Sequence, residues 1–300
     1  RTCRPNPELS TTSVHTTFVV KPSGARIAGA RCVIWTPVTR SSDPHIMSLV
    51  LKSLEDGILT LTINRPEALN ALNRSVIDAL SAAIEAAQDN AEVRVIVLTG
   101  AGDKAFVAGA DIKEFADFDQ AQGEELARRG QRDLFDRVEQ SRKPVVAAVN
   151  GFALGGGLEL AMAAHVRLAS SNARMGLPEV SLGVIPGYGG TQRLAQIVGK
   201  GKALEMVLTG GMIDAASALE CGLVNQVVDQ ELLLESAHAI AGKMAKNAPT
   251  ALAAALDSVL AGYGRDGFGV EIARFGQCFA TDDFKEGTSA FLEKRKPQFP

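Results

Sequence analysis

Two glutamates are the residues of this chain whose types and surroundings best suit catalysis. Glu159 follows three consecutive glycines, Gly155–Gly157, and lies between two leucines in an apolar segment. Glu179 follows Pro178 and is also surrounded by apolar residues. Two carboxyl groups in different environments can act as a general acid and a general base around one water molecule. Each also has a plainer interpretation, Glu159 as a first-turn acid favoured by the helix dipole and Glu179 as a loop carboxylate near solvent.

The glycines suit a second task, the binding of an oxygen atom that gains negative charge. Val145–Val149 has the pattern of a buried strand, and the apolar residues from Leu158 onward that of a buried helix. The first turn of a helix leaves backbone N–H groups unpaired, and glycine lets another molecule approach them. A second turn, Ala108–Ala110, could supply another N–H group. Either turn alone could be only a tight turn, but together they could form an oxyanion hole.

Other common catalytic motifs are absent from the sequence. Neither glycine turn has the Gly-x-x-x-x-Gly-Lys-Ser/Thr of a phosphate loop or the Gly-x-Gly-x-x-Gly of a dinucleotide site. No Gly-x-Ser-x-Gly is present, which argues against serine hydrolase chemistry. The four cysteines and four histidines are scattered, so no metal site is indicated and free thiols in a reducing compartment are the simplest account. His165 begins a predicted buried strand, which favours a structural role.

The overall composition is that of a globular protein with a full core. Hydrophobic residues make up 46% of the chain and charged residues 22%. The formal charge of −3 argues against nucleic-acid binding, which usually needs a marked basic excess. No apolar run approaches the roughly 18 residues that a membrane span requires. We therefore expect neither a nucleic-acid partner nor a membrane partner.

Strand and helix patterns alternate through most of the chain and predict an α/β core of β-β-α repeats. Asp56-Gly57 between two alternating runs predicts a hairpin, and Ser75 is predicted to cap the helix that follows. The charged segment Lys113–Gly130 is predicted to be a helical, mobile cover. After Leu194 the pattern is nearly all helical, which indicates a C-terminal helical layer that packs on the core or on a neighbouring subunit.

Residues 1–46 differ in composition from the rest of the chain. They are acid-poor, contain several arginines and show no periodicity, as in a transit peptide. The alternative is that Met47 is the natural start and the preceding residues are not native, which the lack of an amphipathic arginine-bearing helix favours. In either case we expect residues 1–46 to be a non-core extension and residues 47–300 to form the folded domain.

Residues 47–300 resemble the crotonase (enoyl-CoA hydratase/isomerase) superfamily along their whole length. The segments that carry this resemblance are Asn64-Arg65-Pro66, Ala68 to Leu72, Lys104-Ala105-Phe106, Ala108 to Glu114, Pro144 to Gly151, Gly155-Gly156-Gly157, Glu159-Leu160-Ala161, Pro178-Glu179, Gly183, Pro186-Gly187, Gly189 to Leu194, Phe279 to Asp283, Glu286-Gly287, Ser289-Ala290-Phe291 and Glu293 to Lys296. Taken together these segments are highly specific. One departure is His165, where many members have Asp, and it concerns local packing more than the chemistry.

The resemblance implies a fold, an assembly and a substrate class. The fold is a crotonase-like spiral of β-β-α repeats, with a core over about residues 47–240 and a helical trimerisation layer over about 241–300. The assembly is typically a homohexamer built as a dimer of trimers. The substrate is an acyl-CoA thioester, so coenzyme A is part of the substrate and no separate cofactor or metal is expected.

The resemblance also assigns roles to individual residues. The oxyanion hole falls on the N–H groups of Ala110 and Gly156, and the predicted substrate-binding residues are Ala68, Ala110, Asp111, Ile112, Lys113 and Gly156. Hydratases carry two glutamates, matched here by Glu159 and Glu179, whereas isomerases commonly keep one. We therefore expect an enoyl-CoA hydratase of fatty-acid β-oxidation or related acyl-CoA metabolism that adds water in the syn sense. Glu159 would take a proton from water, and Glu179 would supply one to C2.

Three alternatives remain open from the sequence. An isomerase or another acyl-CoA-processing crotonase is the nearest, and a non-catalytic CoA-thioester or RNA-binding scaffold is further away because both glutamates and both turns are kept.

The location is expected to be cytoplasmic, or the mitochondrial matrix if residues 1–46 are a presequence. Acyl-chain length and pathway do not follow from these patterns.

Overall fold

The structure is a computed structural model that describes residues 48–264 and 266–299. The extension predicted over residues 1–46 lies outside the described residues. Within the described part of the chain, no helix is both long enough and apolar enough to cross a membrane.

The described residues form ten strands and eleven helices. The strands are β1 (Val50–Glu55), β2 (Ile58–Ile63), β3 (Val95–Gly100), β4 (Ala105–Val107), β5 (Val145–Val149), β6 (Phe152–Leu154), β7 (Val166–Ser170), β8 (Arg174–Gly176), β9 (Met212–Asp214) and β10 (Gln226–Val228). The helices are α1 (Arg74–Asp89), α2 (Gln120–Gly130), α3 (Asp136–Glu139), α4 (Gly156–Ala163), α5 (Gly190–Val198), α6 (Lys200–Thr209), α7 (Ala215–Glu220), α8 (Leu233–Ala245), α9 (Pro249–Ala261), α10 (Gly267–Cys278) and α11 (Asp282–Leu292). Short 3₁₀ turns and one π-helical segment, Gln131–Phe135, join some of them.

The larger sheet has six strands in the order β1-β2-β3-β5-β7-β10. β1 and β2 form the predicted antiparallel hairpin, in which Asp56 and Gly57 both have positive φ. The other strands run parallel, and β3 and β5 are buried along their whole length. Continuous apolar runs are expected for parallel strands that are covered on both faces.

The smaller sheet has the order β4-β6-β8-β9, and each of its strands has only three residues. β4, β6 and β8 are parallel, and β9 pairs antiparallel with β8. The three pairs β3-β4, β5-β6 and β7-β8 therefore each give one strand to the larger sheet and one to the smaller sheet, and a helix follows each pair. This arrangement confirms the predicted α/β fold of β-β-α repeats.

Helices cover both faces of the larger sheet. On one face α1 buries Val76, Leu80 and Ile84 in the main core, together with α4 and the smaller sheet. On the other face α8 packs Leu233, Ala237 and Ala241 against β3, β5 and β7. α8 runs across residue 240, where the sequence predicted the change from spiral core to helical layer, and α9, α10 and α11 follow it.

Two local predictions differ from the structure. The cap of α1 is Asn73, whose side chain accepts the N–H of Val76, and not Ser75, which is exposed. The predicted cover is not one helix, because a 3₁₀ turn at Ile112–Glu114 precedes a non-helical stretch and α2 begins only at Gln120. Asp119 caps α2 in a capping box with Gln122, which is a strong helix-start signal and explains where α2 begins.

Candidate active site

The smaller sheet brings three predicted segments of the site side by side. Ala108–Ala110 follows β4, Gly155–Gly157 follows β6, and Glu179 comes shortly after β8. These strands are neighbours and run parallel, so the segments after them emerge at the same edge of the sheet. The site is therefore built at the carboxyl ends of three very short strands.

The segment after β4 is held against Leu72 by two backbone hydrogen bonds. The Leu72 N–H donates to the Gly109 oxygen at 2.9 Å, and the Asp111 N–H donates to the Leu72 oxygen at 2.7 Å. Ala110 lies between these bonds, and among the described residues no group accepts its own N–H. The N–H of Ala110 is thus fixed in place and available.

The second N–H group is that of Gly156, the first residue of α4. Gly155 before it has φ +50°, a left-handed conformation that glycine adopts without strain. Within residues 48–264 and 266–299 no acceptor pairs with the Gly156 N–H. Leu72 joins the two turns, since its Cδ1 lies 3.5 Å from where a Cβ on Gly156 would be. Two unpaired N–H groups therefore flank one leucine.

Gly157 allows α4 to approach β4 this closely. A Cβ at this position would lie 2.0 Å from the backbone oxygen of Val107 and 2.7 Å from its Cβ. Neither atom belongs to a flexible side-chain end, so any larger residue would push the helix away from the strand. The glycine therefore sets the distance between the two turns.

Glu159 is buried, with 1% of its surface exposed. Its Oε1 accepts two backbone N–H groups, from Tyr188 and from Gly190, each at 2.8 Å. Burial raises the pKa of Glu159 to about 7, the two N–H bonds oppose that rise, and the charge of Glu179 adds to it. A carboxyl group that titrates near neutral pH can both accept and release a proton during turnover.

Glu179 begins a 3₁₀ turn, Glu179–Leu182, and its carboxyl group points back toward Gly155. Its Oε1 lies 2.6 Å from where a Cβ on Gly155 would be, so a side chain at position 155 would displace this oxygen. Its Oε2 is buried and has no hydrogen-bond partner among the described residues. Burial raises the pKa of Glu179, which favours the protonated form. A buried, unpartnered carboxyl oxygen is costly unless a ligand or water satisfies it.

The structure brings the two glutamates together around Gly155. The backbone N–H of Glu159 donates to the Gly155 oxygen, and the carboxyl group of Glu179 lies against the same glycine. The charge of Glu179 acts on the pKa of Glu159, as expected for neighbouring carboxyl groups. The two carboxyl groups are therefore near enough for the charge of one to act on the other.

The remaining predicted substrate-binding residues form a rim beside the first turn. Asn70 donates to the backbone oxygens of Ala101 and Ala105, and Leu69 accepts the N–H of Ala108, which ties the Ala68 loop to the end of β4. In the same rim, the guanidinium group of Arg65 lies 3.2 Å from the carboxylate of Asp111. Ala68 is half-buried, and Ile112 and Lys113 are exposed. The rim therefore lies beside the turn that contains Ala110.

Tyr188 is a site residue to which the sequence analysis gave no role. Its N–H binds Glu159, and its ring stacks on Phe135 with centroids 4.6 Å apart. Arg193 donates to its backbone oxygen at 2.8 Å and forms ion pairs with Asp136 and Glu139. Burial raises the pKa of Tyr188 to about 12, to which the charge of Glu159 adds. The signal in the sequence that could have identified Tyr188 is its position as an aromatic residue between Gly187 and Gly189.

His165 takes part in backbone contacts away from the two carboxyl groups. Its Nδ1 accepts the N–H of Val145, so its Nε2 carries the proton and donates to the Glu139 oxygen at 2.9 Å. Burial lowers the pKa of His165, which keeps the ring neutral. These bonds fit the structural role that the sequence favoured. No group of three or more His, Cys, Asp or Glu side chains in the described part of the chain could hold a metal ion.

Known proteins with similar sequences and structures share one family description. A sequence model of the family described as enoyl-CoA hydratase/isomerase matches residues 53–300. A short-chain-enoyl-CoA hydratase of Clostridium acetobutylicum is 45% identical over 250 residues, which cover 82% of this chain and 95% of the relative. A mitochondrial enoyl-CoA hydratase of Pongo abelii is 41% identical over 274 residues, which cover 90% and 92% of the two chains.

The solved structures agree with the sequence relatives. The crystal structure of an enoyl-CoA hydratase from Bacillus anthracis superimposes with a TM-score of 0.79 at 39% identity and covers 84% of this chain and 98% of its own. An enoyl-CoA hydratase subunit from Geobacillus kaustophilus gives the same TM-score at 44% identity, with the same coverage. The match extends over nearly all of the β-β-α repeats and the helical layer. The chain belongs to the enoyl-CoA hydratase/isomerase family, within the crotonase superfamily.

Proposed function

We infer that the protein is an enoyl-CoA hydratase, a hydro-lyase that adds water to a trans-2-enoyl-CoA thioester and forms a 3-hydroxyacyl-CoA. The observation that carries this inference is the pair of carboxyl groups, the buried Glu159 and Glu179 with its buried Oε2, next to two N–H groups that are unpaired among the described residues. An isomerase needs only one such group to move a proton. Relatives named as short-chain-enoyl-CoA and crotonyl-CoA hydratases, at 45% and 44% identity, support hydration.

The unpaired N–H groups would stabilise the charge that hydration creates. When water attacks C3, electrons move through C2 onto the thioester oxygen and give an enolate. The N–H groups of Ala110 and Gly156, held in place by Leu72 and by the start of α4, would donate to this oxygen. Each donor of this kind typically lowers the barrier by about 3 kcal/mol.

The environments of the two carboxyl groups favour different roles. Oε1 of Glu159 accepts two N–H groups, which suits an ionised base that orients the water and takes its proton. Oε2 of Glu179 has no partner among the described residues, which suits a protonated acid that gives its proton to C2. We propose that water and proton reach the double bond from one side and add syn, because the carboxyl groups of Glu159 and Glu179 are near enough for the charge of Glu179 to raise the pKa of Glu159.

The rim around Ala110 would bind the coenzyme A part of the substrate. We propose that Ala68 and Ala110–Lys113 contact it through backbone groups, because the side chain of Asp111 is already engaged by Arg65. No separate cofactor is proposed, because the N–H groups supply the electrophile and the carboxyl groups supply the acid and base. Activity that survives dialysis against a chelator would agree with this, and its loss would refute it.

Assembly and location are further parts of the proposal. We propose a homohexamer, a dimer of trimers, because α9 and α10 expose several large apolar side chains, among them Val259, Phe268, Ile272 and Phe275. We propose a cytoplasmic location, with the mitochondrial matrix as the alternative, because the similar proteins include a bacterial one and one that is named as mitochondrial. Cell fractionation of the source organism would distinguish the two compartments.

Product analysis tests the proposed reaction. The purified protein is incubated with crotonyl-CoA and, separately, with a 3-enoyl-CoA, and the thioesters are separated by chromatography. Formation of 3-hydroxybutyryl-CoA is expected from the first. Conversion of the 3-enoyl thioester to the 2-enoyl thioester without hydration of crotonyl-CoA would favour the isomerase alternative. Release of free CoA would indicate thioester hydrolysis and contradict both.

A further inference from the structure

The ring of Tyr188 lies against Gly156, whose N–H belongs to the predicted oxyanion hole. It is buried, with 7% of the residue exposed. One edge borders Gly156, where its Cδ2 and Cε2 lie 3.5 and 3.7 Å from the position that a Cβ would take. The other edge reaches Gly130 at the end of α2, where Cε1 lies 2.2 Å from the corresponding position. The phenol ring therefore spans the gap between the start of α4 and the end of α2.

Several contacts fix the ring in that gap. Phe135 stacks on it with an interplanar angle of 17°. The backbone of Tyr188 is held at both ends, by its N–H bond to Glu159 and by the bond from Arg193 to its oxygen. Gly130 provides room that any larger residue would fill. The ring is thus a rigid wall and not a side chain free to swing away.

The wall lies on the path that the acyl chain of a substrate has to take. With the thioester oxygen on the N–H groups of Ala110 and Gly156 and the reacting carbons beside Glu159, the chain beyond C3 continues past residues that border both Gly156 and Glu159. Tyr188 borders both, through its ring and its N–H respectively. Leu72 borders Gly156 on another side.

We propose that Tyr188 is the specificity-determining residue that closes the acyl pocket and restricts the protein to short 2-enoyl-CoA thioesters. This inference rests on the proposed hydratase function. A longer chain would have to displace the ring from its stack with Phe135. Replacement of the ring by a small side chain would leave an apolar space lined by Phe135 and Gly130, into which additional methylene groups could extend.

The expected size of the chain-length preference follows from how strongly apolar pockets discriminate between substrates. One extra or missing methylene group in an apolar pocket changes discrimination by about 10- to 200-fold. The wild type should therefore favour crotonyl-CoA over 2-decenoyl-CoA in kcat/KM by at least about tenfold. Tyr188→Ala should raise the ratio of 2-decenoyl-CoA to crotonyl-CoA activity by at least about tenfold.

The experiment measures kcat/KM for crotonyl-, 2-hexenoyl-, 2-octenoyl- and 2-decenoyl-CoA with the full chain and three variants. Tyr188→Phe is the matched control, because it keeps the ring and removes only a hydroxyl group that donates to no acceptor in the described residues. Its chain-length profile should stay within about twofold of the wild type. Tyr188→Leu removes the ring but keeps an apolar side chain, and should shift the ratio in the same direction as Tyr188→Ala.

The ratio of 2-decenoyl-CoA to crotonyl-CoA activity distinguishes a failure of this inference from a failure of the proposed function. Ring-removed variants that hydrate crotonyl-CoA with an unchanged chain-length profile would overturn the role of Tyr188. A wild type that already hydrates 2-decenoyl-CoA as well as crotonyl-CoA would overturn it too. A wild type that hydrates no 2-enoyl thioester would instead refute the hydratase proposal. If Tyr188→Ala does not fold, Tyr188→Leu gives the same comparison.

Discussion

At the scale of single residues, the two glutamates are distinguished by what each carboxyl oxygen meets. Oε1 of Glu159 is held by two backbone N–H groups, and Oε2 of Glu179 is buried without a partner in the described structure. Burial raises the pKa of both side chains, so what distinguishes them is the hydrogen bonding of their oxygens. Such a separation by environment is the usual means by which a carboxyl pair divides acid and base work.

Replacement of either glutamate by glutamine should reduce hydration strongly. Glu159→Gln and Glu179→Gln keep the size of the side chain but cannot exchange the proton, so kcat for crotonyl-CoA should fall by at least about 10²-fold in each. Steady-state kinetics measures the change. Glu220→Gln, at an exposed position in α7, is the control and should match the wild type. Near wild-type turnover in a site variant would contradict the role of that residue.

The pH dependence of the reaction should report the raised pKa of Glu159. Its pKa of about 7 means that a fall in pH through 7 protonates the base, so kcat/KM should decrease toward acid by about tenfold per unit. The proton shared with Glu179 makes the measured value a property of the pair. A profile for crotonyl-CoA from pH 5 to 9 tests this. A flat profile between pH 5 and 7 would contradict it.

The sequence predicted the catalytic residue types but could not show that they meet. Glu159 and Glu179 stood out because each lies among apolar residues, and the family resemblance paired them. Their proximity depends on the pairing of β6 with β8 and on the absence of a Cβ at Gly155, which are long-range features. Tyr188 was passed over because an aromatic side chain has no periodic or charge signal that reveals what it faces.

At the scale of elements, the smaller sheet is the part of the fold that sequence patterns did not predict. Its strands have three residues each, which is too short for the alternation that marks a strand. The hairpin, the buried strand Val145–Val149 and the helical pattern after Leu194 were predicted from the sequence and are present in the structure. The short strands align the ends of successive repeats, so the site depends on the elements with the weakest sequence signal.

Gly157 should tolerate no side chain, because α4 lies directly on β4 at this position. Gly157→Ala places a Cβ 2.0 Å from the Val107 oxygen and should destabilise the fold by about 1–3 kcal/mol, as overpacking typically does. Urea unfolding measures the change. Gly201→Ala in α6 is the matched control, because nothing lies within 4 Å of its Cβ position, and it should be neutral or slightly stabilising. Equal stability of the two variants would contradict the close approach.

The cap of α1 offers a second test at this scale. Asn73→Ala removes the side-chain acceptor of the Val76 N–H and should cost about 0.5–2 kcal/mol in the free energy of unfolding. Ser75→Ala, at the position that the sequence favoured as the cap, should change stability by less than about 0.5 kcal/mol because this side chain is exposed. Thermal or urea unfolding of both variants would show the reverse order if Ser75 were the true cap.

At the scale of the whole molecule, the C-terminal helices present more apolar surface than a single chain can cover. On α10, Phe268 is 84% exposed, Ile272 72% and Phe275 67%. Large contiguous apolar patches on folded proteins mark interaction surfaces. The helical pattern of the sequence predicted this layer. The proposal that a neighbouring subunit covers its apolar side chains comes from the family resemblance.

The proposed hexamer should depend on this surface. Sedimentation of the wild type should give six copies of the 31.6 kDa chain. Phe275→Glu should shift the distribution to smaller species, because a buried unpaired charge is costly at an interface. Glu271→Ala on the same helix is the control and should leave the assembly intact. A wild type that sediments as a single chain would contradict the proposal.

Tyr188 contributes to reactivity and to pocket shape through different atoms. The amide of Tyr188 holds the base in position, and any amino acid except proline provides that amide. The ring closes the pocket, and only the identity of the side chain determines its size. Substitutions at this single codon can therefore change which chain lengths are accepted while the proton-transfer apparatus stays intact. Enzymes of this fold could therefore change their substrate range through substitutions at position 188, with each successive variant still active.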